Sequence, residues 1–216
     1  MTSAPAARAS ATTRSRIAIP RLPWLAAHAV RAFVSVAAAS LGEYADLGRR
    51  LGRSPGVAGI EVNLTPPDGR SLGQFDAREP FQAARAVEAV RGNLPGGIPV
   101  LAKLGHDPVR VVETARAVTG AGADAVVLGN ARPALMPDGG PGGLSGPAIL
   151  PVALRSVADV RSALPDLTLV GAGGAASATD VRAYLDAGAV AVQIGAALLH
   201  DPTTAARIAA DLGGAR

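Results

Sequence analysis

Six short apolar runs rich in β-branched residues recur along this chain, and each is followed by a stretch of helical period. They occupy 32–38, 59–64, 99–104, 125–129, 167–171 and 189–195. Near-continuous apolar strands belong to parallel sheets covered on both faces, with the covering helices in the crossovers. The stretches between them predict helices over 41–51, 81–91, 108–119, 148–163, 178–187 and 203–212, and their starts are marked. Ser40 with Glu43, and Ser177 with Asp180, have capping-box spacing. Asp107 and Asp201 each stand before a first-turn proline. Six β/α units make the chain an α/β protein, either an open doubly wound sheet or most of a (β/α)8 barrel. No G-x-G-x-x-G follows the first run, and the glycine-rich turns come late. Both features favour an incomplete barrel.

The chain has 216 residues, 49% of them hydrophobic, which is enough to bury one substantial core. One domain, 22–216, is expected after a disordered basic tail, 1–21. No apolar run reaches the ~20 residues that span a bilayer, so a cytoplasmic location is expected. The absence of Cys excludes disulfides and thiolate metal sites. His28, His106 and His200 are too scattered to suggest a histidine metal site, and no metal is expected. The net charge of +4 is concentrated at the start: residues 1–50 hold seven Arg against two acids, the remainder fourteen basic residues against fifteen acidic. Aromatics are only 3%. A near-neutral body without a basic, aromatic-lined stripe argues against nucleic-acid binding.

Two glycine turns, Gly171 to Gly174 and Gly195, directly follow the last two apolar runs and lead into segments that can open helices. Glycine lets backbone N–H groups approach a ligand closely, and helix N-termini present unpaired donors. The loops after the last two strands of a (β/α)8 barrel often bind phosphate. The stretch 139–151, GGPGGLSGPAILP, is long enough to fold over a ligand and ends by starting a helix.

Polar residues at strand ends are the other signal. Lys103, the only lysine, ends the third run; an ammonium there can stabilise an anionic ring. Asn63 ends the second run and Asn130 follows the fourth. Their amides suit the polar edge of a planar heterocycle, or cap their own turns.

The blocks IEVNLTPPDG, PVLAKL, VVLGNA, GGLSGPAILPVALR, VGAGGAASATD and AVQIGAAL together resemble, in order, those of the dihydroorotate dehydrogenases, FMN-dependent TIM barrels of pyrimidine biosynthesis. The resemblance covers roughly 22–212. It implies that Lys103 contacts the flavin ring, that Gly146, Gly173, Gly174, Gly195 and Ala196 surround the FMN phosphate, and that Asn63 and Asn130 hold a dihydroorotate-like substrate. Hydride would pass from substrate C6 to the flavin while a general base removes the C5 proton. Two departures stand out. The family's Cys or Ser base position is Pro66 here, which leaves Thr65 and Asp68 as candidates. The family's first two strands have no counterpart, which implies an N-terminally truncated or diverged member, as a homo-oligomer or beside a chain that completes the barrel. A catalytically degenerate FMN-binding paralogue or hetero-oligomer subunit is the alternative, and a flavin-free phosphosugar barrel a further one.

Overall fold

All six apolar runs are strands, and they lie in one parallel sheet in the order in which the chain makes them. The computed structural model describes residues 19–65, 73 and 75–213. A 3-10 turn (Ile19–Arg21) and a short helix α1 (Leu22–Ala27) lead into β1 (Ala32–Val36). The repeating units follow: α2 (Leu41–Gly52), β2 (Val57–Asn63), α3 (Pro80–Arg91), β3 (Val100–Leu104), α4 (Val111–Gly120) and β4 (Ala125–Leu128). A hairpin of β5 (Arg132–Leu135) and β6 (Pro141–Leu144) interrupts them. The chain continues through α5 (Leu150–Ala163), β7 (Leu169–Ala172), α6 (Ala178–Asp186), β8 (Ala191–Gln193), α7 (Ala196–His200) and α8 (Thr204–Gly213).

The sheet order is β1-β2-β3-β4-β7-β8, every pairing is parallel, and the hairpin forms a separate antiparallel pair. A doubly wound sheet reverses its strand order at a switch point; this sheet never does. The fold is therefore a curled α/β half-barrel, an incomplete TIM barrel.

Side chains alternate along each strand. Ile60, Val62, Val100, Ala102, Leu104, Val126, Leu128 and Leu169 are buried in a single core with helix residues such as Val87, Val118, Val157 and Tyr184. The opposite, concave face carries Ser35 and Glu61 as register partners, then Asn63 beside Lys103 and Ala172 beside Gln193. At the outer strand β1 the Phe33 ring covers Gly59 so closely that a Cβ there would come 2.3 Å from it, while the ring stays 53% exposed.

Local expectations hold with informative shifts. Ser177 and Asp180 form a full capping box. Ser40 accepts from Glu43 N at 3.2 Å, but the Glu43 carboxylate takes the N–H of Ala39 rather than of the cap residue itself. Asp107 accepts from Val109 N at 3.0 Å and so stabilises a turn, and helix α4 starts only at Val111. Asp201 does the same through Thr203 N before α8. The 139–151 stretch is not one loop: it holds β6 and a 3-10 turn (Pro147–Ile149) leading into α5. Of the expected tail, Ile19–Arg21 is ordered as a 3-10 turn, and 1–18 lie outside the described residues.

Candidate functional site

The C-terminal ends of β2 and β4 bring together two asparagines that are 67 positions apart. Asn130 Nδ2 donates to Asn63 Oδ1 at 2.8 Å and to the Thr65 carbonyl at 2.9 Å, while Asn130 Oδ1 accepts from Ala131 N at 3.0 Å. Asn130 thus ties the exit of β2 to the exit of β4. The turn-capping reading holds for Asn130, whose oxygen accepts from the next backbone N–H. Thr65 is partly buried against Gly105, and its buried Oγ1 has no hydrogen-bond partner among the described residues.

Lys103 lies on the same face, one strand over. Its Nζ donates to Gln193 Oε1 at 2.6 Å and stands 3.5 Å from Glu61 Oε1. Gln193 Nε2 donates to Glu61 Oε2 at 2.6 Å, and Ser35 Oγ donates to Glu61 Oε1 at 3.0 Å. Side-chain exposure is only 17% for Lys103 and 9% for Glu61. Lys103 is therefore a partly buried, paired and oriented ammonium. A buried charge persists only when paired and hydrogen-bonded, and here four residues on four strands meet that condition. Glu61, Gln193 and Ser35 are site residues the sequence reading passed over. A charged residue inside an otherwise apolar run was the available signal for Glu61.

The glycine residues converge at the neighbouring corner. Gly146 (φ +88°) precedes the 3-10 turn that leads into α5. Gly173 (φ +120°) and Gly174 (φ +78°) follow β7. A Cβ on Gly174 would come 2.8 Å from Leu150 N and 2.9 Å from Gly146 O, so the two loops touch through backbone. Tyr184 Oη donates to Gly173 O at 2.6 Å and fixes the turn from below; burial holds the Tyr184 phenol well above its ordinary range. Gly195 and Ala196 begin α7 beyond β8, the strand next to β7. A Cβ on Gly146 or Gly195 would enter open space. Gly173 and Gly174 are instead packed against Ile149 and Leu150.

His106 completes this end of the sheet. It follows β3, is 8% exposed and sits against the Asn130 backbone. Its Cε1 lies 3.1 Å from where a Cβ on Gly129 would be, and Gly129 (φ +130°) has no room for one because the Ala172 carbonyl occupies that space. Arg132 Nη1 donates to the His106 carbonyl at 3.3 Å. Burial first, and the Arg132 charge second, lower the His106 pKa, partly offset by the Asn130 backbone.

Pro66 and Asp68 lie outside the described residues. Among the described residues no group of three His, Cys, Asp or Glu could hold a metal ion, and no helix is long and apolar enough to cross a membrane.

The family model described as dihydroorotate dehydrogenase matches residues 11–215. The catalytic subunit of dihydroorotate dehydrogenase B (NAD(+)) from Desulforudis audaxviator is 42% identical over 200 residues, covering 88% of this chain and 64% of that protein. The subunits of the same name from Anoxybacillus flavithermus and Geotalea daltonii are 35% identical over 200 residues and 38% over 201. They are covered to 63% and 65% of their length, so the chain spans just under two thirds of these relatives.

Proposed function

The chain belongs to the dihydroorotate dehydrogenase family, and on that premise we propose that it is an FMN-dependent oxidoreductase that oxidises dihydroorotate to orotate in pyrimidine biosynthesis. The observation that supports this most is the convergence of an oriented ammonium, an asparagine pair and a glycine cradle on one rim of the sheet.

When bound, the flavin supplies the hydride acceptor. The chain's own residues hold and orient. Gly146, Gly173, Gly174, Gly195 and Ala196 receive the phosphate with backbone N–H groups. Lys103, aimed by Gln193 and Glu61, would offer its remaining donor capacity to the flavin ring. Asn63 and Asn130 orient the substrate amide and carboxylate. Thr65 and Asp68 are the candidates to take the C5 proton.

The names of the relatives extend the reading. Each is the catalytic subunit of an NAD(+) enzyme, so a second subunit passes electrons onward to NAD+, in the cytoplasm. This chain has no Cys for an iron–sulfur relay, and such a relay belongs to the partner. Pro66 at the family's base position favours one second reading, an FMN-binding subunit without dehydrogenase activity.

The test is anaerobic mixing of the FMN-loaded protein with dihydroorotate. Bleaching of the flavin absorbance is expected. A protein that takes up no FMN refutes the flavin assignment, and a flavin that stays oxidised selects the second reading.

A further inference from the structure

We propose that Glu61 is a positioning residue for the redox step: acting through Lys103, it lowers the reduction potential of the bound flavin, so that electrons taken from the substrate pass readily to the next acceptor. This rests on the reading above. Glu61 stands in the middle of β2, inside an otherwise apolar run, with a side-chain exposure of 9%. A buried ion pair adds little stability over apolar side chains of the same volume. Its presence on the concave face therefore calls for another role.

Both carboxylate oxygens are engaged. Oε1 accepts from Ser35 Oγ at 3.0 Å and faces Lys103 Nζ at 3.5 Å, and Oε2 accepts from Gln193 Nε2 at 2.6 Å. Each of these partners is a donor or a cation, which suits a carboxylate that only accepts. Gln193 bridges the two charges, because its Oε1 accepts from Lys103 Nζ at 2.6 Å while its Nε2 donates to Glu61. Turned over, the amide would set its NH2 against the ammonium and its oxygen against the carboxylate, so the charges fix its orientation. The four residues come from β1, β2, β3 and β8. The curl of the whole sheet, and no single loop, holds the ammonium to its counter-charge.

The consequence is electrostatic. Two electrons and one proton added to an oxidised flavin ring leave it one unit more negative. An uncompensated ammonium beside the ring would hold those electrons there. A carboxylate 3.5 Å from the ammonium opposes its field on everything beyond the pair. Lys103 then orients the ring as a hydrogen-bond donor while contributing little net charge.

Redox titration of the FMN-loaded protein against a reference dye tests this. Glu61→Gln keeps the shape of the side chain and removes its charge. It should favour reduced over oxidised FMN by at least about tenfold, an upward move of at least about 30 mV for a two-electron couple. A potential within about 10 mV of wild type, or one that falls, overturns the role and leaves the reaction standing; a lowered urea midpoint alone would mark only a structural ion pair. In a Lys103→Met background the same change should move the potential less than half as far. An undiminished shift means that Glu61 acts on the ring directly, and overturns the role through Lys103. Should Glu61→Gln not fold, Glu61→Asp decides: the shorter side chain keeps the charge but draws it back from Lys103, so the potential should rise by a smaller step, and no rise overturns the proposal. A wild-type protein that takes up no FMN removes the flavin reading, and this role with it.

Discussion

Gln193 and Glu61 are 132 positions apart, and the Gln193 amide donates to the Glu61 carboxylate at 2.6 Å. Between their strands lie β3, β4 and β7. In a flat sheet four strand spacings of about 4.8 Å would hold β2 and β8 roughly 19 Å apart. Two side chains of this length cannot bridge that gap, so the contact measures how far the sheet has rolled. It also converts the roll into an electrostatic setting for Lys103, which both residues touch.

Glu61→Ala should therefore do more than delete a hydrogen bond. It leaves the Lys103 ammonium buried without its counter-charge, a loss of about 3 kcal/mol for a pair at this depth. Urea denaturation should show the midpoint falling accordingly. Gln193→Ala, which keeps the charge pair, should cost less, and FMN affinity should fall in both.

The glycine rim separates fold from binding. Gly174→Ala places a Cβ 2.8 Å from Leu150 N on a left-handed backbone, so it should lower stability by at least about 1–2 kcal/mol and weaken FMN binding as well. Gly195→Ala meets open space at φ −122°. Its thermal midpoint should match wild type while FMN affinity falls about tenfold. Equal FMN affinity in the Gly195 variant would place the phosphate elsewhere.

Asn130→Asp tests the asparagine pair. An oxygen in place of Nδ2 would face the Asn63 Oδ1 and the Thr65 carbonyl, both acceptors. A loss of about 2 kcal/mol is expected, together with a raised KM for dihydroorotate. Thermal melts and initial rates check the two effects separately.

Stability should fall at both ends of the pH range. Burial raises the Tyr184 pKa in the folded chain, so its contribution is intact below the unfolded value of about 10 and is lost as pH rises further. Tyr184→Phe should flatten that alkaline limb and cost about 1 kcal/mol through the orphaned Gly173 carbonyl. His106 shifts the other way: its contribution is intact above about pH 6.5 and is lost as pH falls through the depressed folded value. His106→Gln should flatten the acid limb. Denaturant midpoints across pH 4–11 resolve both.

Strand–helix alternation was legible because the inner strands are near-continuous apolar runs, β4 being buried at all four positions, a pattern that parallel sheets favour. The same rule hid the hairpin. Its strands, RPAL and PGGL, are mostly exposed and carry four glycines or prolines in eight positions, Pro133, Pro141, Gly142 and Gly143, which reads as loop. Lys103, Asn63 and Asn130 were visible as polar residues at strand ends. Gln193 was not, since its partner lies across the curl and no local period encodes that meeting. His106 stands out only as one of three scattered histidines, because its burial against the exit of β4 is a property of packing and leaves no mark in the order of residues.

The seat of Phe33 on Gly59 has a consequence for the rim of the sheet. Sliding β1 by one residue would turn its whole face over, and sliding it by two would drive the ring onto a neighbour that carries a side chain. Only one alignment offers the aromatic plate a bare stretch of main chain. The outermost strand is thus indexed like a key in its lock, by a notch one methyl group deep.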